Sequence, residues 1–255
     1  MDSLQRAREA LRERQGAGAR WDSTAAPAET LGWARTGTAY FARLLNDLDE
    51  HDLDGPSLVP GWTRRHIVAL VGYQARALTR LTEWAASGVR TPMFASPAQR
   101  MEEIEDGATL PDRALRGLFR HAAVHLDVEW RDLTAEAWDA AVELPDGTAI
   151  TARDTPWIRA REIWLRAVDL GTTGSFLDFP PGVVDRLLAE AATDWKGEPL
   201  LLLASDRTEP IRLGTGDGAA IRGGAADLAR FICGRGVRRL EHDRPLPQHT
   251  LDLTL

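Results

Sequence analysis

The chain has 255 residues, with 31 Lys+Arg against 38 Asp+Glu and a formal net charge of −7, long enough for one generous core or two modest ones. Apolar residues at 44% and charged residues at 27% exclude wholesale disorder, and the acidic balance counts against a nucleic-acid binder, which needs a basic field. A single cysteine, Cys233, excludes an internal disulfide framework and a thiolate-built zinc site.

No run of residues approaches the roughly eighteen apolar positions a membrane span requires. Segment 1–14 alternates charge (Arg6, Arg8, Glu9, Arg12, Glu13) where a signal peptide carries an apolar centre, so a cytoplasmic location is expected. In chain order, residues 4–15 read as a short polar helix closed by Gly16-Ala17-Gly18. A longer helix is predicted over 29–48, with Leu31, Ala34, Ala39, Leu44 and Leu45 on one side. Leu58-Val59-Pro60-Gly61-Trp62 is a turn; Thr63 is its N-cap candidate, and a helix follows over 64–86. Residues 88–97 read as an irregular link, and 110–133 as a helix begun at Pro111-Asp112.

Pro145-Asp146-Gly147 supplies turn chemistry for a β-hairpin over 141–151, and a fourth long helix over 155–170 stops at Gly171. Four long helices with one crossover-style connection predict an antiparallel bundle. Beyond Phe179-Pro180-Pro181-Gly182 come a helix (183–195), strands at 200–204, 211–213 and 219–221, a helix (225–233) and a terminal strand (250–255). The expected class is α+β in two domains: residues 1–175, a helical bundle with an extra N-terminal helix, and residues 176–255, a small α+β domain.

Several residues invite a chemical reading beside a structural one. His121, His125 and Glu129 share a helix face at spacing i, i+4, i+8; such a stripe either binds a divalent metal or is merely exposed. His66, Leu70, Tyr73, Gln74 and Ala77 share one face of the second long helix. There His66 is either a general acid or base near neutral pH or a support for the helix start. Trp157 and Trp164 wall a pocket or serve packing. Cys233, in the apolar stretch 228–233, is either a built-in thiol or a buried, inert one. Gly223-Gly224 before a helix is too short for a phosphate loop.

Pro60-Gly61-Trp62-Thr63 feeding a helix, the run from Trp157 through Glu162 and Arg166 to Gly171, the stretch from Thr91 to Ile104, and Gly234-Arg235-Gly236 together resemble the mycothiol-dependent maleylpyruvate isomerases, members of the DinB-like bundle group. The resemblance runs from about Arg35 over nearly the whole chain and implies an N-terminal DinB-like four-helix bundle. It also implies a chemistry. A cytosolic thiol adds to a cis double bond conjugated with carbonyls, rotation follows, and loss of the thiol gives the trans isomer. A divalent metal held by two histidines and a glutamate lowers the thiol pKa and stabilises the enolate.

Carried onto this sequence, the ligand positions are Leu70, eight residues after Trp62, then Glu162 and Arg166. Leucine offers no lone pair and a guanidinium repels a cation, so the resemblance implies that the metal site is lost. Glu162 and Arg166, spaced i, i+4, suit an ion pair that either fills the vacated space or serves catalysis. Arg100 and Arg235 match arginines the family uses around its thiol and substrate carboxylates.

The leading expectation is therefore a metal-independent isomerase of a small unsaturated or carbonyl-bearing carboxylate, in a specialised biosynthetic pathway. Glu162, Arg166 and His66 are its catalytic candidates, and Arg100, Arg235, Tyr73, Gln74 and Trp164 line its substrate. No metal is expected. Alternatives are a mycothiol-dependent isomerase or thiol transferase, and a non-catalytic protein that binds a small organic acid.

Overall fold

The computed structural model describes residues 21–246; the helix expected at 4–15 and the strand at 250–255 lie outside them. Helix α1 (Ala28–Asn46) buries Leu31, Ala34, Phe41, Leu44 and Leu45 along one stripe. A single turn, α2 (Glu50–Leu53), is closed by a reciprocal Asp49–Asp52 capping box. The loop behind it folds back on itself: the Ser57 N–H donates to Trp62 O at 2.9 Å and the Arg64 N–H to Gly55 O at 3.0 Å. Helix α3 (Arg64–Ser87) starts there and ends at Gly88, whose φ of 73° is the left-handed conformation glycine adopts without strain.

The link expected over 88–97 gives way to a helix that the sequence reading left unassigned, α4 (Pro97–Ala108). Its start is built reciprocally: Ser96 Oγ accepts from the Gln99 N–H at 3.1 Å, and Gln99 Oε1 accepts from the Ala95 N–H at 2.6 Å. Helix α5 (Asp112–Asp132), the short α6 (Ala135–Trp138) and the hairpin β1 (Ala141–Glu143)–β2 (Ala149–Thr151) follow, the strands paired antiparallel with Val142 opposite Ile150. Helix α7 (Thr155–Asp169) is the centre of the molecule. Every residue in it except Arg161 is buried, including Arg159, Glu162, Arg166 and Asp169.

Side-chain contacts fix the directions. Trp33 meets Trp157 and Tyr40 meets Trp164, so α1 and α7 run parallel. Arg65 reaches Leu110 O and Gly72 lies against Leu118, so α3 and α5 also run parallel. The two pairs oppose each other: Gln74 meets Ile158 while Arg64 reaches Leu170 O. The connection from α3 to α5 must therefore return along the bundle, and α4 is that return, packed on α3 where Gly107 touches Ala69 and Tyr73. This return is the crossover-style connection expected from the sequence, and it leaves the middle two long helices pointing the same way.

Behind the bundle, a 3₁₀ turn (Phe176–Asp178) leads into α8 (Pro181–Asp194), β3 (Leu200–Ala204), β4 (Ile211–Leu213), β5 (Ala219–Gly223), α9 (Ala225–Ile232) and β6 (Glu241–His242). The sheet order is β4-β3-β5-β6, with β3 and β5 parallel from Leu200 opposite Ala219, and both outer pairs antiparallel. Leu187 and Leu188 of α8 and Leu228, Phe231 and Ile232 of α9 are buried beside the sheet's Leu200, Leu202 and Ile221. This layer joins the bundle through Phe179, whose ring packs on Phe176 at 4.5 Å and Trp164 at 5.1 Å, and through Glu190, which accepts from the Trp157 indole and pairs with Arg161 at 3.3 Å. The architecture is the expected α+β one, a helical bundle followed by a small mixed layer.

Candidate functional site

Helix α7 carries four buried charges, at positions 159, 162, 166 and 169, the i, i+3/i+4 spacing that puts them along one face. Burying charge is costly unless each group is paired, and here the pairing is specific. Arg166 Nε donates to Glu162 Oε1 at 2.8 Å and Arg166 Nη1 to Asp169 Oδ2 at 2.7 Å. Burial works against the Arg166 charge, yet the two carboxylates overcome it and hold the guanidinium above its ordinary pKa. Glu162 Oε2 is buried and accepts no hydrogen bond.

Arg159, one turn before Glu162, is 1% exposed. Its Nη1 donates to Val71 O at 2.8 Å and Gln74 Oε1 at 2.7 Å, neutral acceptors both. Burial lowers its pKa to about 10, offset in part by Glu162.

Two further arginines enter from other elements. The chain after α9 turns through Gly234 (φ 73°) and Gly236 (φ 88°), left-handed positions on both sides of Arg235. That turn aims Arg235 at Asp169: Nε donates to Oδ1 at 3.0 Å and Nη2 to Oδ2 at 2.7 Å, while Nη1 donates to Cys233 O. From α4, Arg100 lies against the Phe94 ring with its guanidinium carbon 5.9 Å from the centroid. Burial lowers its pKa, and its electrostatic neighbours are Glu162 and Arg166. Among the described residues it makes no side-chain hydrogen bond. Four guanidiniums thus surround two carboxylates, an interior with an excess of positive charge.

Leu70 is 2% exposed. Since Gln74 meets Ile158 and Arg159 while Arg64 meets Leu170 in the antiparallel α3/α7 pair, the turn carrying Leu70 faces the turn carrying Glu162 and Arg166. Gln74 holds Arg159 rather than standing open. Tyr73 packs against Gly107 of α4, with Arg76 over its ring at 5.5 Å. Trp164 turns away toward α1: its indole N–H donates to Trp33 O at 3.0 Å and its ring stacks on Tyr40 at 4.9 Å.

His66 sits at the start of α3. The Thr63 N–H donates to Nδ1 at 3.2 Å, which leaves the proton on Nε2, facing Glu105 Oε2 at 3.3 Å, and Trp62 stacks on the ring at 5.8 Å. Both ring nitrogens are engaged by these partners, and neither by the α7 charges. His125 and Glu129 approach within 3.4 Å on an exposed stripe with His121.

Sequence reasoning missed Arg159 and Asp169. Both lie in the stretch that carried the resemblance, and the i, i+3/i+4 repeat of charges through an otherwise apolar helix was the signal that could have found them.

A divalent ion asks for lone pairs. Of the three positions the resemblance marks, Leu70 offers none, and Arg166 is itself a cation bonded to the remaining carboxylate. Among the described residues, no group of three or more His, Cys, Asp or Glu is placed to hold a metal. The donor set here does not fit the metal of the resembled family.

The fold and site define a DinB-like bundle with a charged interior and a small α+β layer behind it. Over residues 34–171, more than half of its length, the chain matches the family described as the mycothiol maleylpyruvate isomerase N-terminal domain. Among solved structures it is similar to a mycothiol-dependent maleylpyruvate isomerase at a TM-score of 0.83 and 37% identity, covering 87% of this chain and 95% of that one. A histidine-to-alanine mutant form described by the same name matches at 0.82 with the same identity and coverage. No curated protein matches. The chain belongs to the mycothiol maleylpyruvate isomerase family.

Proposed function

We propose that this protein isomerises a small unsaturated, carbonyl-bearing carboxylate using fixed protein charges in place of a metal. One observation carries the reading: Arg100, without a side-chain hydrogen bond among the described residues, is within electrostatic reach of a buried Glu162 whose Oε2 also has no hydrogen-bond partner. A substrate carboxylate completes Arg100 as a two-pronged guanidinium pair. Glu162 Oε2 removes a proton from the carbon next to the conjugated carbonyl system, and the electron pair moves onto the carbonyl oxygen as a dienolate. The Arg166 guanidinium, locked by Glu162 and Asp169, stabilises that oxygen without reorganising. In the dienolate the former double bond has single-bond character and rotates; Glu162 returns the proton, and the electron pair re-forms the double bond as the other isomer. Arg235, fixed on Asp169, closes the positive wall.

A second reading keeps the thiol. The similar solved structure at 37% identity is of an enzyme described as mycothiol-dependent. Here the mycothiol thiolate adds to the carbon β to the carbonyl, and the π electrons move onto the carbonyl oxygen as a thioether enolate that Arg166 stabilises. The new single bond rotates, and the enolate expels the thiolate to re-form the double bond as the other isomer. Either chemistry belongs in the cytoplasm with a small-molecule anion as partner. Among the described residues, no helix is long and apolar enough to cross a membrane.

The test is turnover of a panel of small cis-configured keto-carboxylates, followed by NMR with and without mycothiol and with and without a chelator. The expected result is isomerisation that needs no thiol and ignores the chelator, with Glu162→Gln slowing it by about 100-fold or more. Turnover only with mycothiol selects the second reading. Loss of activity on chelation refutes metal independence, and tight binding without turnover refutes both enzyme readings.

A further inference from the structure

The bundle is sealed where α1 packs on α7, where α7 meets α3 and where α3 packs on α5. Between α1 and α5 it is not sealed. Props hold the two helices apart: the Phe41 ring lies 5.1 Å from that of Phe119, Arg116 reaches Leu45 O at 2.6 Å and Leu48 O at 2.7 Å, and Arg35 reaches Asp127 at 2.6 Å. The side chains between these props are small (Ala34, Thr38 and Ala42 on α1, Ala123 on α5), so a cleft of about 630 Å³ remains, the size of a small-molecule site.

Its chemistry is unusual for a gap between amphipathic helices. The walls are alanine and valine, but Arg159 from α7 lines it too. Arg159 Nη2 is buried and donates to nothing, while Nη1 is satisfied by neutral oxygens. A guanidinium buried in this way lacks the hydrogen-bonded anion that would complete it. Arg35, Arg120 and Arg131 also line the cleft; Arg35 is held by Asp22 on both its Nη atoms and shares Asp127 with Arg131, which leaves Arg120, exposed and with no ion-pair partner among the described residues, as the open charge at the rim.

We propose that this cleft is a second ligand site, taking a carboxylate on an apolar body, such as a medium-chain or aryl carboxylate. The carboxylate lies on Arg159 Nη2, the apolar body runs along the alanine walls, and Arg120 attracts the anion to the opening. The cleft shares Arg159 with the charged interior but opens between α1 and α5, and none of Arg100, Glu162, Arg166 and Arg235 of the proposed isomerase site lines it.

The experiment is titration calorimetry of the full chain with octanoate and with octanol, its neutral counterpart. Octanoate is expected to bind saturably and at least tenfold more tightly than octanol. Ala123→Phe, which fills the cleft, should weaken octanoate binding at least tenfold while leaving the thermal melt in place. Arg159→Met should abolish the preference for the acid; if that variant fails to fold, Ala123→Phe still decides. Arg100→Met should bind octanoate as the parent does. Equal affinity for octanoate and octanol, unchanged binding by Ala123→Phe, absence of saturation, or loss of binding in Arg100→Met would each overturn the proposal, the last by placing the probe in the isomerase site.

Discussion

Asp169 takes Arg235 on both carboxylate oxygens, at 3.0 and 2.7 Å, and the same carboxylate holds Arg166 at 2.7 Å. One buried side chain therefore ties the end of α7 to the turn after α9 and positions two of the four arginines in the charged interior. Removing the charge leaves two guanidiniums short of a partner, the case in which a broken buried pair costs most. Asp169→Asn is expected to lower stability by about 3–5 kcal/mol, read from urea unfolding. It should also loosen the Arg235 turn, seen as faster amide exchange at Gly234 and Gly236.

The parallel α1/α7 contact depends on a glycine. A Cβ at Gly37 would lie 2.7 Å from both Ile163 Cγ2 and Trp164 Nε1, inside van der Waals contact. Gly37→Ala should therefore cost about 1–3 kcal/mol by overpacking. Because Trp164 faces α1 and not the charged interior, the activity per folded molecule should stay unchanged. A lowered melting temperature with intact specific activity is the expected pair of results.

The long helices were legible because their apolar stripes and stops are local. Gly88 and Gly171 end helices in left-handed conformations, as their positions after a periodic segment suggest. Helix α4 is written just as locally, in Ser96-Pro97-Ala98-Gln99, but its sparse apolar pattern (only Ile104, Gly107 and Ala108 are buried) hides it in the stretch between the expected link and the next helix. The crossover-style connection expected from the sequence implies one parallel pair, but that the pair is α3 and α5 depends on where that short helix returns.

In the site, Glu162 and Arg166 were legible as an i, i+4 pair on one helix. Asp169 and Arg159 were not, because their partners (Arg235, Val71 O and Gln74) come from distant sequence and exist only once the helices pack. The same holds for His66. Its position one turn before Leu70 suited proton transfer and helix-start support alike, and its partners, the Thr63 backbone and Glu105 on either side of it, exist only in the folded chain.

The opposed turns of Leu70 and Glu162 make the metal question constructive. Leu70→His and Arg166→His together supply two imidazoles beside the Glu162 carboxylate, a donor set with an open position. The double variant is expected to bind about one cobalt(II) per chain, read by elemental analysis and visible absorption, and each single variant far less. Equal uptake by the parent chain would contradict the geometry described for Arg166.

Cys233 is 1% exposed among apolar neighbours, and burial pushes its thiol up to about 12, against a smaller opposing pull from Arg235. The native thiol should therefore resist a disulfide reagent at pH 8.5 and react promptly once urea exposes it. The sign of the stability effect follows from the same shift. Unfolded, the thiol ionises near its ordinary value of 9; folded, it holds its proton to about 12. The contribution to stability is thus complete below pH 9 and is lost as pH rises from 9 toward 12, because the unfolded chain releases the proton first. Urea midpoints of the parent should fall more steeply with pH across that window than those of Cys233→Ala. Parallel curves would mean that the thiol is not buried as described.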